Sequence, residues 1–167
     1  MICGFIPKEN IYFTDPYYQR DYWMRKSPEL KKQNVYYLQK GKEAVIVDST
    51  LVSPNGIIGT QDGKYLYVGD IGDKKTYRYT IASDGTLMER QLFVNQGSDG
   101  MTIDNKSNIY LTGNGVTVYN MRGEQIEHIS IPARWTANVT FGGKHKNKLF
   151  ITASEAIYII DMKVRGG

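Results

Sequence analysis

One short phrase recurs four times and sets the period of the chain: Ile11-Tyr12-Phe13-Thr14, Leu66-Tyr67-Val68-Gly69, Ile109-Tyr110-Leu111-Thr112 and Leu149-Phe150-Ile151-Thr152. The offsets are 55, 43 and 40 residues. A period of roughly 40–45 residues, with several short strands per unit, is the spacing of propeller blades. The chain therefore reads as all-β, an incomplete β-propeller of about four blades, each a four-stranded antiparallel sheet. Equivalent positions of successive blades converge on one axis, so a polar residue repeated at one phase predicts a ring. Ten or eleven positions upstream of the last three phrases stand Asn55, Asp99 and Asn138. Counting back from Ile11 reaches Met1, so the chain is expected to begin within a blade.

The alternation of apolar and polar residues divides the chain into a blade remnant (1–52), two blades (53–95 and 96–133) and an incomplete last blade (134–167), together one domain. Gln61-Asp62-Gly63-Lys64 and Ser83-Asp84-Gly85 are hairpin signals, because Gly accepts the left-handed backbone such turns require. The last unit offers only three strands, and the first keeps an innermost strand only as the degraded Met1–Ile6. Open blade edges of this kind predict self-association, since unpaired strand edges template pairing. One stretch, Tyr17 to Gln33, breaks the pattern. Ser27 followed by Pro28 predicts a single capped helical turn there. Its aromatic and Arg content predicts an ordered lid, with Tyr17, Trp23 and Arg25 as candidate substrate contacts.

Composition excludes several classes. The apolar fraction of 41% supports a packed core. No apolar run approaches the ~20 residues that cross a bilayer, so no membrane partner is expected. The first eight residues lack the cationic start and long apolar stretch of a signal peptide, and the compartment is left open. The net charge of +4 is spread over turns such as Lys144-His145-Lys146-Asn147-Lys148, without aromatic interleaving, which argues against a nucleic-acid partner. Cys3 is the only cysteine, so disulfide frameworks and thiolate metal clusters are out. There is no Gly-x-Ser-x-Gly elbow, and His128 and His145 read as surface side chains.

Several stretches resemble the gluconolactonase/regucalcin (senescence marker protein) family, and in particular its microbial gluconolactonase-type branch. They are Ile11-Tyr12-Phe13-Thr14-Asp15-Pro16, Ser53-Pro54-Asn55-Gly56, Asp62-Gly63-Lys64-Tyr65-Leu66-Tyr67-Val68, Ser98-Asp99-Gly100-Met101, Trp135-Thr136-Ala137-Asn138-Val139 and Ile151-Thr152-Ala153-Ser154. The resemblance implies a six-bladed propeller of which this chain is the later part. Met1-Ile2-Cys3-Gly4 departs from the family pattern.

The resemblance also implies a divalent-metal-dependent hydrolase of sugar lactones. Asn55 and Asp99 match two ligands of one cation, Ca²⁺ first, with Mg²⁺, Mn²⁺ or Zn²⁺ as alternatives. A further Glu ligand of the family has no counterpart here. Oxygen-only ligands suit a hard cation, which would polarise a lactone carbonyl and a water, with Asp99 as general base. Asn55 can only coordinate and orient. Trp135 and Asn138 join the candidate substrate contacts, although Val139 stands where the ring pattern has glycine. Two rival readings are a non-catalytic propeller scaffold and a phosphotriesterase-like hydrolase.

Overall fold

The computed structural model describes Ile2–Ile6 as backbone and residues 10–167 with their side chains. The ring position expected at Met1 lies outside the described residues. Fifteen strands and no helix are found among the described residues. Among the described residues no helix is therefore long and apolar enough to cross a membrane. The strands form four antiparallel sheets in chain order. The first holds β1 (Ile2–Ile6), β2 (Asn10–Thr14), β3 (Val35–Leu38) and β4 (Val45–Asp48). The second holds β5 (Pro54–Gly59), β6 (Tyr65–Asp70), β7 (Lys75–Ile81) and β8 (Leu87–Val94). The third holds β9 (Met101–Ile103), β10 (Ile109–Gly113), β11 (Gly115–Tyr119) and β12 (Gln125–Ile129). The fourth holds β13 (Thr136–Gly142), β14 (Lys148–Ala153) and β15 (Ala156–Asp161). Every sheet is a meander in which each strand pairs with its neighbour in sequence.

Period-two alternation explains how the sheets stack. In β6, Leu66 and Val68 face the first sheet, within a core that includes Tyr12, Val35, Tyr37 and Ile57. Between them, Tyr67 faces the third sheet and joins Val94, Met101, Ile103, Ile109 and Leu111. In β10 the pattern repeats, because Tyr110 turns the other way into a core with Val116, Val139, Leu149 and Ile151. Each core is thus a wedge shared by two consecutive sheets. The recurring apolar-aromatic phrase is the second strand of each sheet, buried on both faces in β6 and β10 and more fully on one face in β2 and β14. The result is an incomplete β-propeller.

Burial falls from the inner strands outward. The fourth strands β4, β8 and β12 are largely exposed. The third strands β3 and β11 are half to fully buried, whereas β15, which has no fourth strand beside it, exposes Ile157 at 69% and Ile159 at 57%. Polar ties cross the wedges as well. The Tyr12 hydroxyl donates to the Gly85 carbonyl (2.6 Å), and the Tyr79 hydroxyl donates to Asp48 (2.7 Å). The carboxyl-terminal residues bridge the last two sheets: Asn105 N donates to Arg165 O (2.8 Å), Gly166 N to Lys146 O (2.8 Å) and Gly167 N to Ile103 O (3.1 Å).

The expected helical turn at Ser27-Pro28 is absent. Residues 15–34 form turns and bends without a helix. A single turn fixes several dihedrals for one hydrogen bond, so it needs help from packing. Here side chains take the local carbonyls instead. Gln19 Nε2 donates to Arg20 O and Arg25 O (2.8 and 3.1 Å), and Lys26 Nζ donates to Asp21 O (2.9 Å).

Candidate active site

The second and third blades meet tightly at their inner strands. Gly56 N donates to Ser98 O (3.0 Å), and a Cβ on Gly56 would lie 2.9 Å from that carbonyl and 3.0 Å from Asp99 O. Only glycine permits this approach. It places Asn55, at the start of β5, next to Asp99, in the turn before β9. That turn is held by its neighbours: Ser98 Oγ donates to Gly100 O (2.6 Å), and Gly100 N donates to Thr112 Oγ1 (2.9 Å). The last residue of the recurring phrase also ties blade to blade. Thr14 Oγ1 donates to Asn55 O (2.6 Å), and Thr112 Oγ1 donates to Ala137 O (3.2 Å).

Asn55 is only 1% exposed. Its Nδ2 donates to Asp99 Oδ1 and to the Tyr18 hydroxyl oxygen, both at 2.6 Å. A carboxylate only accepts, so Asp99 fixes which end of the amide faces it. The other end, Asn55 Oδ1, is buried and has no hydrogen-bond partner. Such an acceptor wants a donor or a cation. Asp99 is half-buried, and its Oδ2 accepts from Trp135 Nε1 at 3.3 Å. Burial, and then the negative charge of Asp99, push the Tyr18 hydroxyl above its ordinary pKa, against hydrogen bonds from Asn55 and Ser53. Tyr18 is therefore a neutral phenol at this site across the physiological range.

The donor set is all oxygen: the Asn55 amide, the Asp99 carboxylate and the Tyr18 hydroxyl. These suit a hard divalent cation, and a turn of the Asn55 amide would exchange its orphaned oxygen for its NH₂ toward Asp99. Among the described residues no three His, Cys, Asp or Glu side chains converge, so this is a partial set.

The structure brings Asn55, Asp99 and Trp135 together. It separates them from Tyr17, Trp23 and Arg25, which line a cavity of about 280 Å³ under the 15–34 segment. There the Trp23 ring meets the Tyr17 ring edge-on at 6.0 Å, and Arg25 lies over Tyr17 at 5.4 Å. Asn138 is exposed and turns its Oδ1 back to the Val139 amide (2.8 Å), while packing on Gly100. Sequence reading missed Tyr18. Tyr17 and Tyr18 are adjacent, and adjacent residues of an extended segment point opposite ways. Nothing in their identities says which one reaches the ring.

A family model for the SMP-30/Gluconolactonase/LRE-like region matches residues 4–155. The chain belongs to that family. Within the SMP-30/gluconolactonase/LRE-like family it is similar to a 6-deoxy-6-sulfogluconolactonase of Pseudomonas putida, at 30% identity over 119 residues, 66% of this chain and 40% of that protein. A solved gluconolactonase of Xanthomonas campestris superposes with a TM-score of 0.79 at 28% identity, over 93% of this chain and 54% of that one. Regucalcin, a calcium-binding protein of Agrobacterium tumefaciens, superposes with a TM-score of 0.80 at 17% identity, over 99% of this chain and 62% of that one. That last likeness concerns the fold. The chain thus spans roughly half the length of these relatives.

In this family member the ring depends on a second close approach. A Cβ on Gly100 would lie 2.3 Å from Asn138 Oδ1 and 2.7 Å from Asn138 Cα, which is backbone and cannot swing aside. Gly100→Ala is expected to cost about 1–3 kcal/mol as the third and fourth blades shift apart. A denaturant titration measures it, and a variant as stable as the parent would show that the contact is dispensable.

Proposed function

We propose that this chain carries part of the reaction centre of a divalent-metal-dependent sugar-lactone hydrolase, with Asn55 and Asp99 holding the cation and Asp99 acting as general base. The observation that carries the reading is the Asn55 amide. It is buried, its oxygen is unpartnered, and it lies 2.6 Å from the Asp99 carboxylate. The lactonase relatives of the family support the substrate class. Bound there, a divalent cation supplies positive charge that polarises the lactone carbonyl. Asp99 takes the proton from the attacking water and returns it to the ring oxygen that leaves. Trp135 Nε1, by bonding Asp99 Oδ2, orients the carboxylate. Asn55 titrates nowhere near neutrality, so its work is to hold and orient. Trp135 and Asn138 are the nearer substrate contacts, with Tyr17, Trp23 and Arg25 on the neighbouring cavity. Ca²⁺ is the first choice of cation, followed by Mg²⁺, Mn²⁺ and Zn²⁺.

The partial donor set favours one second reading, a propeller scaffold without turnover. One experiment separates the two. Metal-depleted protein is assayed for hydrolysis of D-glucono-1,5-lactone by proton release, and each cation is then restored in turn. The lactonase reading expects activity to vanish on depletion and return with a cation. Turnover indifferent to chelation removes the metal role, and no turnover under any condition leaves the scaffold.

A further inference from the structure

A cavity of about 440 Å³ is lined by Asp99 and Trp135 together with residues of the second and third blades. This is within the usual size of a small-molecule site, roughly 300–1,000 Å³. Asp99 is the only carboxylate among its lining residues, which also include Lys74, Gln96, Asn114 and His128. Each of these can donate a hydrogen bond.

Three observations make Lys74 the telling residue. Its neighbour Lys75 is engaged, with Nζ 2.9 Å from Asp73 Oδ2. The Lys74 side chain, by contrast, pairs with no carboxylate among the described residues. Second, Lys74 occupies the left-handed region, with φ of 54°, in the β6–β7 hairpin. The matching β10–β11 hairpin has Gly115 in that conformation (φ 74°), the relaxed choice for such a turn. That conformation fixes the Lys74 backbone beside the cavity, as it fixes Ser154 (φ 47°) in the β14–β15 hairpin. Third, the Gln96 amide oxygen is already occupied by the Tyr119 hydroxyl (2.8 Å), which leaves its NH₂ as the group to offer a ligand. His128 likewise engages only Nδ1, 3.3 Å from Thr117 Oγ1.

We propose that this cavity is a subsite for an anionic substituent (carboxylate, phosphate or sulfonate) on the sugar lactone, with Lys74 as the residue that selects for the charge. The inference rests on the lactonase reading above for what lies at Asp99. Lys74 attracts the anionic substituent at a position away from Asp99, so the lactone is held with its carbonyl toward Asp99 and its anion toward Lys74. Charge-assisted contacts from Lys74, Gln96 and His128 supply the affinity.

Calorimetric titration of the protein with 6-phosphogluconate and with gluconate tests this without turnover. The expected result is at least about ten-fold tighter binding of the phosphorylated acid, the size of one charge-assisted contact. Lys74→Met should abolish the preference, while Lys75→Met retains it. Equal affinities for the two acids, or a preference that survives Lys74→Met, overturn the proposal. So does inorganic phosphate binding as tightly as 6-phosphogluconate, because the site would then take a free anion. Absence of lactone hydrolysis speaks against the lactonase reading alone, since the charge preference is read on binding.

Discussion

Asp99→Ala is expected to lower kcat/KM for lactone hydrolysis by about 10²–10⁴-fold, the usual worth of a positioned general base. The same side chain is a proposed cation ligand, so cation affinity should fall in the same variant. Stability should change little, because Asp99 is half-buried, its partner Trp135 is exposed, and Asn55 Nδ2 keeps its bond to the Tyr18 hydroxyl. A thermal melt beside the assay separates the two effects. Asp99→Asn is the sharper companion. It preserves the shape and abolishes the charge, but it sets an amide against the Asn55 amide that donates to Oδ1 at 2.6 Å. Turnover at the parental rate in either variant removes the base from the mechanism.

Leu111→Ala is expected to cost about 2–5 kcal/mol of stability, the range for emptying a fully buried leucine site. Leu111 is 0% exposed and lies in the wedge between the second and third sheets, with Tyr67, Met101, Ile103 and Ile109. That wedge packs the sheet that carries Asn55 against the sheet that follows Asp99. Leu149, also 0% exposed, belongs to the wedge between the third and fourth sheets. Leu149→Ala should therefore cost a similar amount in a urea titration yet leave cation affinity nearer the parental value. Equal losses of affinity in the two variants would mean that the wedges do not act separately on the ring.

Much of this architecture is legible in the amino-acid order. The phrase ending in Thr14, Gly69, Thr112 and Thr152 marks the second strand of each sheet, and in the two middle sheets that strand is buried on both faces and so needs apolar residues at successive positions. Asp-Gly pairs mark hairpins because glycine tolerates their backbone. The juxtaposition of Asn55 and Asp99 follows from the period alone. What escaped depends on contacts that no local pattern encodes. The 15–34 segment is shaped by side chains of Gln19 and Lys26 capturing carbonyls, which defeats the helical turn that Ser27-Pro28 suggests. The choice of Tyr18 over Tyr17 depends on which way an irregular segment faces. The bond from Trp135 to Asp99 spans two blades, and Lys74 gains meaning only from the cavity beside it. Asn138 shares the phase of the ring, but its amide is absorbed by Val139 N.

The order in which strands pair has a kinetic consequence. Since each sheet is assembled from hairpins of adjacent segments, its register can form early and at small loop-closure cost, and each formed sheet offers a face on which the next can condense. The isolated bridge between Asp104 and Gly166 departs from this rule, because it spans two sheets. It can close only after both have docked, so amide protection at Asn105, Gly166 and Gly167 is expected to appear last during refolding.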